Sequence, residues 1–232
     1  MDIRASFMKK SREIKDQSSR RFDEWSKKYD RSLLQFLIFR RSHNMFISNI
    51  MRDSRKIRIL DVGCGTGEFA MRLKSYKKDA NVHGLDISAD MIRIAKAKFD
   101  GEIDFRVGDV EHIPYEDNYF DYLTCSHSFH HYPHKKKAVR EMFRILKDKG
   151  KIMIIDGCKD TFLGKVIFDG IVKAHEGDVH HLHSSQFARI LEGSGFKSIS
   201  QEIFNPCIPL LFTMGVAKKP ALYGGEERKK AC

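Results

Sequence analysis

Two groups of histidines stand out among the residues that could do chemistry. The first fills the stretch SHSFHHYPH and comprises His127, His130, His131 and His134. The second is HHLH, with His180, His181 and His183. Imidazole can accept a proton near neutral pH or bind a metal ion, so either chemistry is open at these positions. Neither group has H-E-x-x-H or a comparable ligand spacing, and we predict no metal site.

A glycine-rich turn lies upstream of the first histidine group. The stretch ILDVGCGTGEF joins an apolar run to a helical pattern and carries Asp61, Gly63, Gly65 and Gly67. In an open parallel sheet, such a turn lies at the carboxyl ends of the strands, where ligands bind. Glycines let the chain turn tightly, so that backbone N–H groups can approach a ligand. The turn is therefore a candidate cofactor-binding loop.

Two further carboxylates follow the next two predicted strands. Asp86 ends the run GLDIS and Asp109 ends VGDVE, so with Asp61 three successive strands each deliver a carboxylate to one sheet edge. An acidic residue after the second strand is suited to bind ribose hydroxyls. Asp109 could accept the amine of an adenine, between apolar walls from Ile87 and Met91. Any one aspartate could instead be an ordinary helix cap, but three at matching positions favour a nucleoside-binding edge.

A nicotinamide dinucleotide is the alternative ligand for this edge. Its fingerprint, G-x-G-x-x-G, would place the third glycine at position 68, where this chain has Glu68. A carboxylate at the start of that helix would also repel a pyrophosphate. The glycine spacing therefore disfavours a nicotinamide-dependent oxidoreductase.

From residue 57 onward, apolar strand patterns alternate with amphipathic helix patterns. The strand patterns cover 57–63, 80–87, 103–110, 119–128, 149–157, 197–204 and 208–218. This alternation predicts an α/β protein with a Rossmann-like, doubly wound, mostly parallel sheet. The short connection between the last two strands suits an antiparallel pair. Ser88 is expected to cap the helix after the second strand, and Ser184 or Ser185 the helix in SSQFARILEGSGF.

We divide the chain into three parts. Residues 1–52 are expected to form an N-terminal helical extension, because apolar residues recur at helical spacing from Phe22 onward. Residues 53–219 form the main domain, with an inserted segment at 158–184 on the substrate side, whose helix is interrupted by two glycines. Residues 220–232 form a basic tail that we expect to be disordered.

The composition is that of an ordinary globular protein. Of 232 residues, 41% are hydrophobic and 31% charged, and no apolar run approaches the ~18–20 residues that a membrane helix needs. The N-terminus has no apolar core of secretory-signal length. The five cysteines are scattered without a C-x-x-C pair, which is typical of reduced thiols. We therefore expect a cytoplasmic protein.

The net charge of +11 is concentrated at the two ends of the chain. Residues 1–58 carry +9 and residues 218–232 carry +3, against −1 between them. A basic arm can attract nucleic acid or an anionic membrane surface. No basic stripe with regularly interleaved aromatic residues accompanies this charge, so a solvated helix is favoured and nucleic acid is a disfavoured partner. Peripheral membrane contact through the N-terminus stays open.

Four stretches together resemble the successive motifs of class I S-adenosylmethionine-dependent methyltransferases. They are LDVGCGTG, GLDIS, GDVEHIPYEDNYFDYLTC and EMFRILKDKGKIMIID. The ubiquinone/menaquinone C-methyltransferase-like group is the most similar, strongly so over residues 57–158, and the helix RFDEWSKKYD resembles that group's N-terminal segment. The resemblance implies a seven-stranded sheet with the last strand antiparallel. It also implies methyl transfer from S-adenosylmethionine, leaving S-adenosylhomocysteine.

The resemblance implies a role for each matching residue. The methionine end of the cofactor would be held by Asp61, Gly63, Gly65 and Gly67, its ribose by Asp86, and its adenine by Asp109 and Val110, beside Ile87 and Met91. Ser126 would offer its backbone carbonyl to the cofactor's ammonium, and Tyr29 would close over the cofactor from the N-terminal helix.

The acceptor side is less specified. His127 and His131 follow the strand that ends beside the methyl group, and they are our candidates for the base that takes a proton from the acceptor; a scaffolding role is the alternative. The F-G-x-R-N run of the quinone methyltransferases is absent, which argues against a quinone acceptor. The absence of an [N/D]-P-P-[Y/F] motif argues against nucleic-acid and protein acceptors.

Three functions follow from these patterns. A methyltransferase acting on a small molecule, as a monomer or homodimer, is favoured. A nicotinamide-dependent oxidoreductase is the second. The third is a non-catalytic cofactor-binding or scaffold protein that docks on RNA or membrane through its basic N-terminal arm.

Overall fold

A single seven-stranded sheet organises the structure. The computed structural model describes residues 33–99, 101–176, 179–205 and 207–220. The strands are β1 (Arg58–Val62), β2 (Asn81–Asp86), β3 (Asp104–Val107), β4 (Phe120–Ser126), β5 (Leu146–Gly157), β6 (Phe196–Phe204) and β7 (Leu210–Ala217). All seven coincide with strands predicted from the sequence.

The sheet order places the carboxyl ends of the first five strands at one edge. The order is β3-β2-β1-β4-β5-β7-β6, with parallel pairing from β3 through β5. Only β7 runs against the others, pairing antiparallel with both β5 and β6. The order reverses between β1 and β4, which opens a crevice at the carboxyl ends of these two strands. The predicted fold class is therefore confirmed.

Helices cover both faces of the sheet. They are α1 (Leu33–Ile50), α2 (Glu68–Tyr76), α3 (Ala89–Lys98), α4 (Lys135–Ile145), α5 (Phe162–Lys165, Val166–Val172 and Lys173–Glu176 in continuity) and α6 (Ser184–Glu192). The apolar faces of α1, α2 and α3 pack in one core cluster, and those of α4 and α6 pack in a second. Burial of these two faces is the main source of stability in such a layered domain.

The helix starts show where local sequence rules succeed and fail. Ser88 caps α3 as predicted, because its hydroxyl accepts the Met91 N–H at 3.1 Å. The α6 prediction is wrong: His183 is the N-cap, and its backbone N–H donates to the Gln186 side chain at 2.9 Å. Ser184 is the first helical residue, and its N–H donates to Asp160 at 3.0 Å. A carboxylate distant in sequence thus accepts one of the N–H groups at the start of α6.

The inserted segment after β5 forms one helix, α5. Its middle stretch winds as a π-helix that contains Gly170. Gly164 does not break the helix; its N–H donates to the Thr161 hydroxyl at 3.0 Å, and it packs against the Cys158 carbonyl. The predicted interruption is therefore a change of helix type around Gly170 rather than a gap.

Parts of the predicted organisation lie outside the described residues. These are the N-terminal residues 1–32, which include Tyr29 and most of the expected extension, and residues 221–232 of the tail. Helix α1 is the described part of the extension, and Phe46, Ile47 and Ile50 bury its inner face. Among the described residues, no helix combines the length and apolar character that crossing a bilayer requires.

Replacing Gly67 by alanine should destabilise the protein more than the same change at Gly65. Both residues have positive φ angles, +81° and +53°, which cost an L-residue about 1–2 kcal/mol. A Cβ at Gly67 would also lie 2.7 Å from the Phe105 ring, whereas at Gly65 it would meet nothing within 4 Å. We expect Gly67→Ala to lower the free energy of unfolding by about 2–4 kcal/mol. Urea denaturation of both variants measures this, and equal losses would contradict the packing argument.

Candidate functional site

A pocket opens where the sheet order reverses, at the carboxyl ends of β1, β2 and β4. It encloses about 830 Å³, including solvent at its mouth. Ten of the residues predicted from the sequence line it: Gly63, Gly65, Asp86, Ile87, Met91, Asp109, Val110, Ser126, His127 and His131. Val62, Leu85, Gly108, Ser128, Tyr132 and Pro133 complete the lining.

The glycine loop is fastened to the end of β2. The Gly63 and Cys64 N–H groups both donate to the Leu85 carbonyl, at 2.7 and 3.1 Å. The Gly65 N–H donates to one oxygen of Asp86 at 2.8 Å, and the Ser88 N–H donates to the other at 2.9 Å. The Asp86 carboxylate is thus held in place at the pocket wall by backbone groups.

Asp61 lies behind the pocket lining, in β1. It is 2% exposed, and the Thr124 hydroxyl donates to its Oδ1 at 2.9 Å. Burial raises the pKa of Asp61 to about 7; the nearby Asp86 charge adds to this, and the Thr124 hydrogen bond opposes it. A positive charge near the end of β1 would therefore favour the ionised form of this carboxyl.

The far end of the pocket combines a carboxylate with apolar walls. Asp109 is fixed by the Glu111 N–H, which donates to its Oδ1 at 2.9 Å. Met91 and Val110 are largely buried. A planar aromatic base with an exocyclic amine would fit such surroundings, because its faces need apolar contacts and its amine needs an acceptor.

Gly67 and Glu68 do not line the pocket. Gly67 precedes α2, outside the pocket lining, and contacts Phe105. The Glu68 carboxylate pairs with Lys98 of α3 at 2.7 Å. The residue that disfavoured a nicotinamide cofactor therefore takes part in an inter-helix ion pair.

The loop after β4 carries the histidines to the opposite side of the pocket. Ser126 ends β4, and its hydroxyl oxygen is buried with no hydrogen-bond partner within the described part of the chain. His127 has a positive φ of 54° and is held by helix α1: its Nε2 lies 2.9 Å from the Ser42 hydroxyl, and its ring lies 4.9 Å from that of Phe39. Helix α1 therefore forms a wall beside this loop.

Two of the loop histidines are neutral at physiological pH. Burial lowers the pKa of His127 to about 4, with the Asp156 charge opposing. Burial also lowers the pKa of His131 well below its usual value. A neutral imidazole can accept a proton without first losing one, as a general base must.

Sequence reasoning missed a hydroxyl pair under the glycine loop. Ser128 and Tyr132 hydroxyls lie 2.9 Å apart, and the Ser128 hydroxyl donates to the Val62 carbonyl at 3.2 Å. A side chain at Gly63 would collide with Ser128. The sequence signal for this pair is weak, because both residues lie among the histidines of the same stretch.

Comparison with known proteins agrees with this geometry. A family model described as a methyltransferase domain matches residues 60–154. The demethylmenaquinone methyltransferase of Staphylococcus aureus is 33% identical over 153 residues, which cover 63% of this chain and 63% of that protein. The matched region contains the glycine loop, Asp86, Asp109 and the strand that leads to the histidines.

Residues 60–154 are thus similar to a family of methyltransferase domains. The resemblance predicted from the sequence is therefore confirmed. The chain spans 63% of the length of the curated relatives that it matches.

Solved structures of methyltransferases share the fold of this chain. One is a chain from the complex of the Haloferax volcanii Trm112 methyltransferase activator with its methyltransferase, with a TM-score of 0.71, 19% identity, and coverage of 85% of this chain and 98% of that one. Another is Haemonchus contortus phosphoethanolamine N-methyltransferase 2, solved with phosphomonomethylethanolamine and S-adenosylhomocysteine, with a TM-score of 0.65, 19% identity, and coverage of 76% and 53%. At this identity they support the fold alone.

The raised pKa of Asp61 predicts a pH-dependent stability. The pKa of Asp61 is higher in the folded than in the unfolded protein. Its contribution to the free energy of unfolding is therefore complete below about pH 4 and is lost as the pH rises towards about 7. Asp61→Asn should abolish this loss. The free energy of unfolding of the variant relative to the native protein should rise with pH, by up to about 1.4 kcal/mol per unit between pH 5 and 7. Parallel denaturation profiles of the two proteins across this range would contradict the prediction.

Proposed function

We propose that this protein transfers the methyl group of S-adenosylmethionine to a small-molecule acceptor. The observation that carries the proposal is one pocket with two unlike sides. Backbone-held Asp86 and Asp109 flank an apolar slot on one side, and a loop bearing neutral histidines borders the other. The first side suits an adenosine moiety, and the second suits an acceptor that must lose a proton.

The residues of the pocket divide the work of binding as follows. Asp86 accepts the ribose hydroxyls, and Asp109 with Val110 binds the adenine, with Ile87 and Met91 against its faces. The glycine loop and the Ser126 carbonyl face the methionine part, with Asp61 behind the loop as a counter-charge for its ammonium. Tyr29 is proposed to close over the cofactor. Bound S-adenosylmethionine supplies an electrophilic methyl group on a sulfonium.

Catalysis rests mainly on alignment. Methyl transfer is an in-line displacement, and holding the acceptor in position can supply effective molarities of ~10⁵ M or more. The acceptor atom forms its bond to carbon as the sulfur–carbon bond breaks. An acceptor hydroxyl, amine or acidic carbon gives up a proton, which His127 or His131 takes.

The acceptor is proposed to be a small molecule bound between α1 and the histidine loop. One relative is named for demethylmenaquinone, yet the F-G-x-R-N run of the quinone methyltransferases is absent from this chain. We propose a cytoplasmic location and a monomer or homodimer, with the basic N-terminal arm available for peripheral membrane contact and nucleic acid disfavoured.

The ribose-binding role of Asp86 is tested by Asp86→Asn. The variant loses the charged acceptor of both the Gly65 N–H and the ribose hydroxyls, so its affinity for S-adenosylhomocysteine should fall by about 10- to 100-fold. Asp104→Asn is the matched control, since Asp104 pairs with Arg106 on β3 and does not line the pocket. Calorimetry measures both. Tight binding of NAD, with no binding of S-adenosylhomocysteine to the native protein, would overturn the proposed function.

The general base can be identified by measuring kcat and the affinity for S-adenosylhomocysteine separately in histidine variants. We expect His127→Gln or His131→Gln to lower kcat by about 10²- to 10⁴-fold while the affinity for S-adenosylhomocysteine is retained. His134→Gln, at the start of α4, is the control. Turnover is followed with isotope-labelled S-adenosylmethionine and fractionated small-molecule extracts, by mass spectrometry of the methylated product. If kcat falls less than about tenfold in both variants, the histidines are scaffold.

A further inference from the structure

A second polar cluster lies behind the histidine loop, outside the pocket lining. It consists of His130 in the loop, Asp156 near the end of β5, and His181 just before α6. The three residues are 7%, 1% and 5% exposed. One donor atom from each lies within 4.8 Å of the donor atoms of the other two. The fold thus brings residues from the two histidine groups of the sequence to one buried carboxylate.

Three hydrogen bonds orient the carboxylate of Asp156. The backbone N–H of His130 donates to Oδ2 at 2.8 Å, and that of Gly157 donates to Oδ1 at 2.7 Å. The His130 ring nitrogen Nδ1 also donates to Oδ1, at 2.7 Å.

His181 is buried beside this carboxylate, and its ring makes no hydrogen bond to any described residue. Its Nε2 lies 3.7 Å from Asp156 Oδ1, too far for a hydrogen bond, and its Nδ1 has no partner in the part of the chain that the structure describes. The ring is stacked between His130, at 4.3 Å, and Phe168, at 4.4 Å. Nε2, the nitrogen that faces the Asp156 carboxylate, therefore has no hydrogen bond within the described residues that a ligand would have to displace.

We propose that His130, Asp156 and His181 bind a divalent transition-metal ion, with Zn²⁺ as the best match. Two imidazoles and one carboxylate are a donor set that Zn²⁺ accepts, with the fourth position left to water or a ligand. Zinc–ligand bonds of about 2.0–2.1 Å place tetrahedral donor atoms about 3.3 Å apart. The 3.7 Å between Nε2 of His181 and Oδ1 of Asp156 is close to this spacing.

Binding of the metal ion requires that it replace the proton on Nδ1 of His130. The proton on its Nδ1 now bridges to Asp156, and the metal ion would take its place while the proton leaves to solvent. The two backbone N–H groups on Asp156 would stay and orient the carboxylate, as outer hydrogen bonds commonly do for metal ligands. The absence of a ligand spacing within either histidine stretch does not count against this site, because the three ligands come from separate segments.

The ring of His131 would lie between the proposed metal site and the pocket. The ring of His131, which lines the pocket, is 4.1 Å from that of His130. The proposal concerns binding of the ion and does not depend on which acceptor the protein methylates.

The test is a Zn²⁺ titration of the full chain after treatment with a chelator. The native protein should bind one Zn²⁺, and Co²⁺ at the same site should give the visible absorption of a tetrahedral centre. His181→Phe keeps an aromatic ring between His130 and Phe168 but removes a ligand, and it should weaken Zn²⁺ binding at least about tenfold. His180→Ala is the matched control, because that side chain is exposed, and it should bind like the native protein.

Two results would overturn the proposal: no stoichiometric Zn²⁺ binding by the native protein, or equal binding by the native protein and a folded His181→Phe variant. The latter would mean an adventitious ion only, held by surface groups such as Cys207. If His181→Phe does not fold, ¹⁵N spectra of the histidines in the native protein decide. Zn²⁺ must then shift Nδ1 of His130 and Nε2 of His181, and unchanged resonances would refute the site.

Discussion

The pocket depends on how the end of β1 is fastened to β2. Parallel pairing brings the carboxyl ends of β2, β1 and β4 to one edge, and the Leu85 carbonyl continues the pairing by accepting the Gly63 and Cys64 N–H groups. The Asp86 side chain then accepts the Gly65 N–H. The loop that contacts a cofactor is thus an extension of the sheet ladder. Its geometry is therefore fixed by the most buried part of the molecule rather than by the surface.

The sheet and the cofactor side of the pocket could be predicted from the sequence because their determinants are local. Each strand is a short apolar run, and Asp86 and Asp109 directly follow such runs, so strand ends that meet at one edge bring them together. Asp61 and Gly67 belong to the same motif, yet neither residue lines the pocket. A difference of one or two residues along a strand or turn decides which side a residue faces, and pattern analysis does not resolve it.

The acceptor side could not be predicted in the same way, because its contacts join distant segments. Nothing near His127 indicates that Ser42 will approach it, and nothing near His181 indicates that Asp156 will be its neighbour. The cap of α6 shows the same limit on a smaller scale, since Asp160 comes from outside the helix. Charged groups and hydrogen-bond partners that tertiary packing brings together cannot be recognised from periodic patterns in the sequence.

The contact between α1 and His127 also bears on how the chain reaches its native state. Ser42 and His127 are 85 residues apart, so α1 is synthesised long before the loop that it packs against. The central pair β1–β4 is similarly non-local, since β2 and β3 intervene along the chain. Non-local contacts slow folding, because the chain must lose the entropy of loop closure before these contacts can stabilise it. The contact between Ser42 and His127 therefore forms only after β4 has joined the sheet, so the wall beside the histidine loop is completed late in the assembly of the site.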